Sequence, residues 1–228
     1  MTIITTVVTF QVRGTPTTVT YSVQTDEPIS MPLARRAVLE SVAAQGLTLE
    51  GLDLSSTDLT GAMLANLKLT NCDASWLDFS DADITNAQFV STRFVASRFD
   101  EADMSRAEFH GCDMARASLK GATAVASKFI GGSLRGAVLN GTDFTEAEFY
   151  KIGASGATWS GATLAWITAY SLESFDSVIR STGTMTHAEI EALHLYILRK
   201  GSGNPAAQAG ARAAAEKLQK DLEAQSAQ

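Results

Sequence analysis

From Leu47 to Leu164 a bulky apolar residue returns at every fifth position, separated mostly by small and polar residues. Starting at Leu49, the steps run through Leu54, Leu59, Leu64, Leu69 and Ala74 to Phe79, Ile84, Phe89, Phe94 and Phe99. They continue without a slip to Phe149, Ala154, Trp159 and Leu164, 24 in all, three of them reduced to Ala. A period of five fits neither a helix nor a plain alternating strand, so it marks an internal repeat. Two residues before each bulky position lies a smaller one, among them Ala62, Cys72, Ala82, Ala102, Cys112 and Ala122. Side chains two apart on extended chain point the same way. Each unit therefore turns one large and one small side chain inward. Two residues after the bulky position come Gly51, Gly61, Asn66, Asn71, Asp81, Asn86 and a run of further glycines, residues that tolerate a sharp bend. A short side followed by a corner, repeated, gives a polygonal coil that stacks on itself.

The units Ala82-Asp83-Ile84, Ala102-Asp103-Met104, Cys112-Asp113-Met114, Leu52-Asp53-Leu54 and Thr142-Asp143-Phe144 resemble the motif of the pentapeptide-repeat family, roughly A-(D/N)-L-x-x. The resemblance covers about half the chain and implies a right-handed quadrilateral β-helix with four units per coil. The fold class expected is thus an all-β repeat of about six coils, roughly 29 Å tall at the usual strand spacing.

The flanks read differently. Val8, Phe10 and Val12 alternate with polar residues, Arg13-Gly14-Thr15-Pro16 turns, and Val19, Tyr21 and Val23 alternate back, which predicts a hairpin. A helix is expected from Pro32 to Gln45, ended by Gly46, with Leu33, Ala37, Val38 and Val42 as its apolar face. Residues 1–46 form an N-terminal hairpin-plus-helix cap over the first coil, or alternatively offer a docking surface for a partner strand. The β-helix domain spans 47–167, and 168–228 is expected to be helical. Thr186-His187-Ala188-Glu189 is a capping box. Asn204-Pro205 opens a last helix whose stripe of Ala207, Ala211, Ala214, Leu218 and Leu222 is a candidate surface for a homodimer or a partner.

The net charge of −7 and pI near 5.0 argue against direct contact with nucleic acid or an anionic membrane. No signal peptide or membrane-spanning stretch is read from the sequence. Cys72 and Cys112 both fall in the small inward slot two layers apart, about 10 Å, too far for a disulfide; buried thiols in a reducing, cytoplasmic setting are expected. No catalytic motif, phosphate loop or metal-ligand spacing appears. His110 points outward where Cys112 points inward, so the two cannot share an ion. The expectation is no cofactor, no metal site and no enzymatic activity.

Two surface features remain. Some members of the family bind type II topoisomerases by presenting an acidic rod that imitates duplex DNA, and the repeat region here holds 15 acidic against 9 basic residues. Eight Asp occupy the motif's own Asp position and carry little information. Asp81, Asp100 and Glu101 lie off the motif; with Asp83 and Asp103 they make a candidate acidic partner-binding corner, although Arg98 and Arg106 lie close. The second feature is a column at 20-residue spacing, Glu50, Thr70, Val90, His110, Ile130 and Tyr150, with Val95 and Trp76 on the adjoining wall. Val90, Ile130, Tyr150 and Trp76 form a candidate apolar contact patch, unless the cap or the C-terminal helices cover it. The reading is a rigid β-helical protein-binding or scaffold module. The alternatives are a DNA-mimicking regulator of gyrase and a structural component of a phage particle.

Overall fold

Four corners in every 20 residues bend the chain into a square coil. The computed structural model describes residues 3–55, 57–165 and 167–172, and places a corner at each described position two after a bulky residue. There the backbone turns to positive φ, not only at glycines but at 13 other residues, including Trp76, Ala96, Glu101, Arg106 and Ala126. Such a conformation costs an L-residue about 1 kcal/mol or more. Each corner is held in return: its N–H donates to the carbonyl 19 residues on, as from Asn71 to Val90 at 2.9 Å and from Glu101 to Lys120 at 2.9 Å. The walls bond likewise, with Asp83 N–H reaching back to Ala62 at 2.9 Å and Asp103 to Ala82 at 3.0 Å.

Regular strands are concentrated on one wall. β3 (Thr48–Glu50), β5 (Lys68–Thr70), β6 (Gln88–Val90), β7 (Glu108–Asp113), β8 (Lys128–Ser133), β9 (Glu148–Gly153) and β10 (Thr168–Leu172) stack in parallel as a seven-stranded sheet. Residues 20 apart face each other throughout, from Leu49 on Leu69 to Phe129 on Phe149. Five full turns separate β3 from β9, and β10 continues the register as a further step. The coil therefore runs to Leu172, past the expected boundary at 167.

The bulky positions fill the interior. Phe79 stacks on Phe99 with ring centroids 4.7 Å apart, and Phe109 on Phe129 and Phe129 on Phe149 at 5.0 and 5.1 Å, all near parallel. The small slots are buried except at Leu47 and Gly132, and several hold hydroxyls that would be costly without a partner. Ser97 and Thr142 donate to the carbonyls of Ala74 and Leu119, each at 2.6 Å.

At the base, β1 (Ile4–Val12) and β2 (Thr18–Thr25) form the expected hairpin, and β1 also pairs with β4 (Leu52–Asp53), so the order is β2-β1-β4. The helix α1 (Met31–Ala44) starts after Ser30 with Pro32 in its first turn and ends on Gly46 at φ 65°, the usual left-handed stop. Its buried residues are Ala34, Val38, Leu39, Val42 and Ala43. The apolar face is thus rotated from the one expected: Leu33 is 44% exposed. Ala34 and Ala43, the small residues of the buried face, lie against the hairpin and first coil. Two adjacent arginines clamp the cap. Arg35 lies over the Phe10 ring at 4.2 Å and donates to the carbonyls of Thr9 and Asp53. Arg36 donates to Thr60 and Gly61, each at 2.8 Å.

The expected helices beyond 172, with their stripe of Ala207, Ala211, Leu218 and Leu222, lie outside the described residues.

Candidate functional site

The acidic corner assembles as the spacing predicts. Asp81 and Glu101 sit at one corner in successive turns, both at positive φ, and Asp83 and Asp103 face each other on the wall that follows. Asp100 closes the wall before it. The charges are not equivalent. Asp100 is spent inside the fold: it accepts from Arg98 Nη2 at 3.0 Å, from the Lys120 N–H at 3.1 Å, and from the Ser118 hydroxyl. Arg98 reaches on to Asp78 at 3.1 Å. These contacts remove Asp100 from the exposed set, because its carboxylate holds the next turn in place. Asp81 and Glu101 are exposed and form no ion pair with any described residue.

The eight motif aspartates have a local task. Asp53, Asp58, Asp73, Asp78, Asp83, Asp103, Asp113 and Asp143 each accept the backbone N–H two residues on. This is the Asx turn, which satisfies a backbone donor at the bend. Asp83 and Asp103 therefore bring charge to the corner but are explained by the turn.

The apolar column forms one straight file. Thr70, Val90, His110, Ile130 and Tyr150 face one another in β5 to β9. Val90 and Tyr150 are 41% and 42% exposed, and Lys151 places its Nζ 5.1 Å from the Tyr150 ring centroid. A polar file runs beside it. Lys128 pairs with Glu108 at 2.9 Å, and His110 Nε2 lies 3.2 Å from the same carboxyl. Hydrogen bonds from Lys128 and His110, outweighing partial burial, hold the Glu108 carboxyl below its usual range. Among the described residues, the hairpin and α1 meet the coil at β4 and β3, at the base of the column.

Trp76 does not join that patch. It is 77% exposed, but it sits on a different corner. The wall from Thr92 to Val95 lies between the corner at Ser91, beside Val90, and the corner at Ala96, above Trp76. The spacing puts Trp76 on the wall adjoining the file, and a wall's width separates the two.

Cys72 and Cys112 are buried and unbridged. Burial, only partly opposed by backbone hydrogen bonds, pushes the Cys112 thiol up to about 11. Among the described residues, no three His, Cys, Asp or Glu side chains are gathered around a metal-sized space, and no helix is long and apolar enough to cross a membrane.

A quadrilateral parallel β-helix with an N-terminal cap, built on five-residue units, defines a solenoid class. The family model for pentapeptide repeats matches in eight copies, over residues 37–73, 58–99, 78–114, 87–123 and 125–152, and the chain belongs to that family. Among solved structures it is similar to trypsin-treated QnrB1, a plasmid-mediated fluoroquinolone resistance protein, with 19% identity and a TM-score of 0.35. That match covers 55% of this chain and 72% of the other. It is also similar to a pentapeptide repeat protein from the Arabidopsis thaliana thylakoid lumen, at 18% identity, coverage of 56% and 82%, and TM-score 0.32. A pentapeptide repeat protein from the cyanobacterium Cyanothece 51142 gives 18%, coverage of 56% and 87%, and 0.34. No curated protein matches the chain.

Proposed function

We propose that this protein is a non-enzymatic, rigid binding module that docks another protein on the sheet face carrying Val90, Ile130 and Tyr150. The observation behind the reading is the in-register file of Val90, His110, half-buried Ile130 and Tyr150 on a face whose backbone is fixed by turn-to-turn hydrogen bonds. A preformed surface of this kind loses little entropy on binding, and aromatic anchors such as Tyr150 commonly dominate binding energy. The test is photocrosslinking from a probe placed at His110, in an extract of the source cells. A discrete adduct that disappears in the Ile130→Asp/Tyr150→Asp variant supports the reading. An adduct that survives that variant, or none at all, sinks it.

A second reading, a DNA-mimicking regulator of gyrase, rests on Asp81 and Glu101, exposed and stacked one turn apart beside Asp83 and Asp103. Arg98 and the internal bonding of Asp100 weaken the acidic field there. The discriminating assay is gyrase supercoiling with the native protein and with Asp81→Lys/Glu101→Lys. Inhibition by the native protein alone favours mimicry, and no effect at micromolar concentration removes it for gyrase.

A further inference from the structure

The open edge of the N-terminal hairpin is the feature that neither the cap nor the docking face accounts for. β2 is the outer strand of β2-β1-β4. Its eight residues, Thr18–Thr25, contain no charge, no proline and no glycine, and its partner β1 is equally uncharged. Exposed edges in natural sheets are usually shielded by lysine, proline, a bulge or a covering segment. Among the described residues β2 carries no lysine, proline or bulge, α1 packs against it, and its pairing with β1 runs without interruption from Thr25 to Thr18.

The geometry of this edge is definite. Val12 N–H donates to the Thr17 carbonyl at 2.9 Å, which sets the alternation along the hairpin. Odd-numbered residues of β2 bond toward β1, and Thr18, Thr20, Ser22 and Gln24 turn their N–H and C=O groups to the open side. Val19, Tyr21 and Val23 point their side chains to the core side; Val19 is still 36% exposed, and Tyr21 and Val23 are half-buried.

We propose that this edge pairs with the same edge of a second copy, joining two hairpins into one six-stranded antiparallel sheet. The strand is self-complementary about Tyr21. With the two-fold axis there, Tyr21 meets the second copy's Tyr21, Val19 meets its Val23, Thr20 its Ser22, and Thr18 its Gln24. Each pair keeps the core-side row on one face and the hydroxyl row on the other, so no side chain changes environment unfavourably. The acidic end at Asp26 and Glu27 falls beside the second copy's uncharged Thr15–Thr17 turn, so like charges do not meet. Because both partners use the same strand, the pairing closes at two and consumes both open edges. A second copy also fits better than a foreign strand because β2 itself carries no charge that would select one. Edge pairing buries less than a standard interface, so the dimer is expected to be reversible. The two coils then point away from each other.

The test is sedimentation velocity of the full chain over a concentration series, with two edge variants, Thr20→Lys/Ser22→Lys and Thr20→Glu/Ser22→Glu. Both side chains face solvent, and each variant places like charges opposite each other in the dimer. The native chain is expected to dimerise, each variant alone to weaken dimerisation at least tenfold, and an equimolar mixture of the two to recover it, since Lys then faces Glu at all four positions. A native chain that stays monomeric overturns the proposal. So does a dimer that persists in both variants, or a mixture that fails to reassemble. Loss of the adduct from the Val90 face would leave this result untouched.

Discussion

Gly132 lies flat against the carbonyl of Cys112 one turn below: a Cβ built on it would sit 2.2 Å from that oxygen. Gly132 also has φ 116°, while its neighbour Gly131, at φ 59°, has nothing within 4 Å of the same imagined atom. The two adjacent glycines therefore separate two costs. Gly131→Ala is expected to lose about 1 kcal/mol from backbone conformation alone. Gly132→Ala is expected to lose about 3 kcal/mol or more, since rigid backbone must move. Urea denaturation of the two variants checks the difference, and equal losses would contradict the close approach.

The non-glycine corners predict the opposite kind of change. Ala96 and Ala126 hold positive φ at 56° and 55°, where their methyl groups contribute strain. Ala96→Gly and Ala126→Gly should each stabilise the coil by about 0.5 kcal/mol, relief of strain exceeding the extra chain entropy of glycine. A fall in melting temperature for both would show that these corners are not strained.

The Glu108 carboxyl sits between Lys128 and His110 and its pKa is lowered in the folded protein. The sign follows: the unfolded chain binds its proton first on acidification. Its stabilisation is therefore complete above about pH 5 and is lost as pH falls through the folded value. Glu108→Gln should lower stability above about pH 5, where the native carboxylate is ionised, and the gap to the native chain should close as pH falls through the folded value. The absence of a gap would mean the pair is screened by solvent.

The buried thiols should be silent. With the Cys112 pKa pushed up to about 11 and the Cys72 thiol also raised by burial, neither should react with a thiol reagent at pH 8 until the coil opens. Both should then label together in denaturant. Rapid labelling of native protein would place one of them at the surface.

Much of this architecture was readable before any coordinates. The bulky file and the small file are each a direct image of burial, and Gly, Asn and Asp marked many corners because their chemistry fits positive φ. The corners at Trp76, Ala96 and Glu101 were invisible by composition; only the period of five reveals them, since the neighbouring turns impose the bend. The rotation of α1 was missed because Leu33 and Ala34 are both apolar, and their choice depends on the shape of the seat below. Counting in twenties puts Asp83 against Asp103, which pair on one wall. What counting cannot give is the partner of each charge: Asp100 looked like Asp81 until Arg98, Ser118 and Lys120 were seen to share it.

The bond from each corner to the residue 19 positions on also makes length a separate variable in this protein. Removing residues 92–111, one whole turn, would set Cys112 in the slot of Thr92 and leave every later side chain on its own wall. The rod would shorten by about 4.8 Å. Removing five residues instead would swing everything above the cut by a quarter of the square. The reach from the hairpin to whatever follows Leu172 is therefore quantised, and it can be reset by genetic duplication one layer at a time.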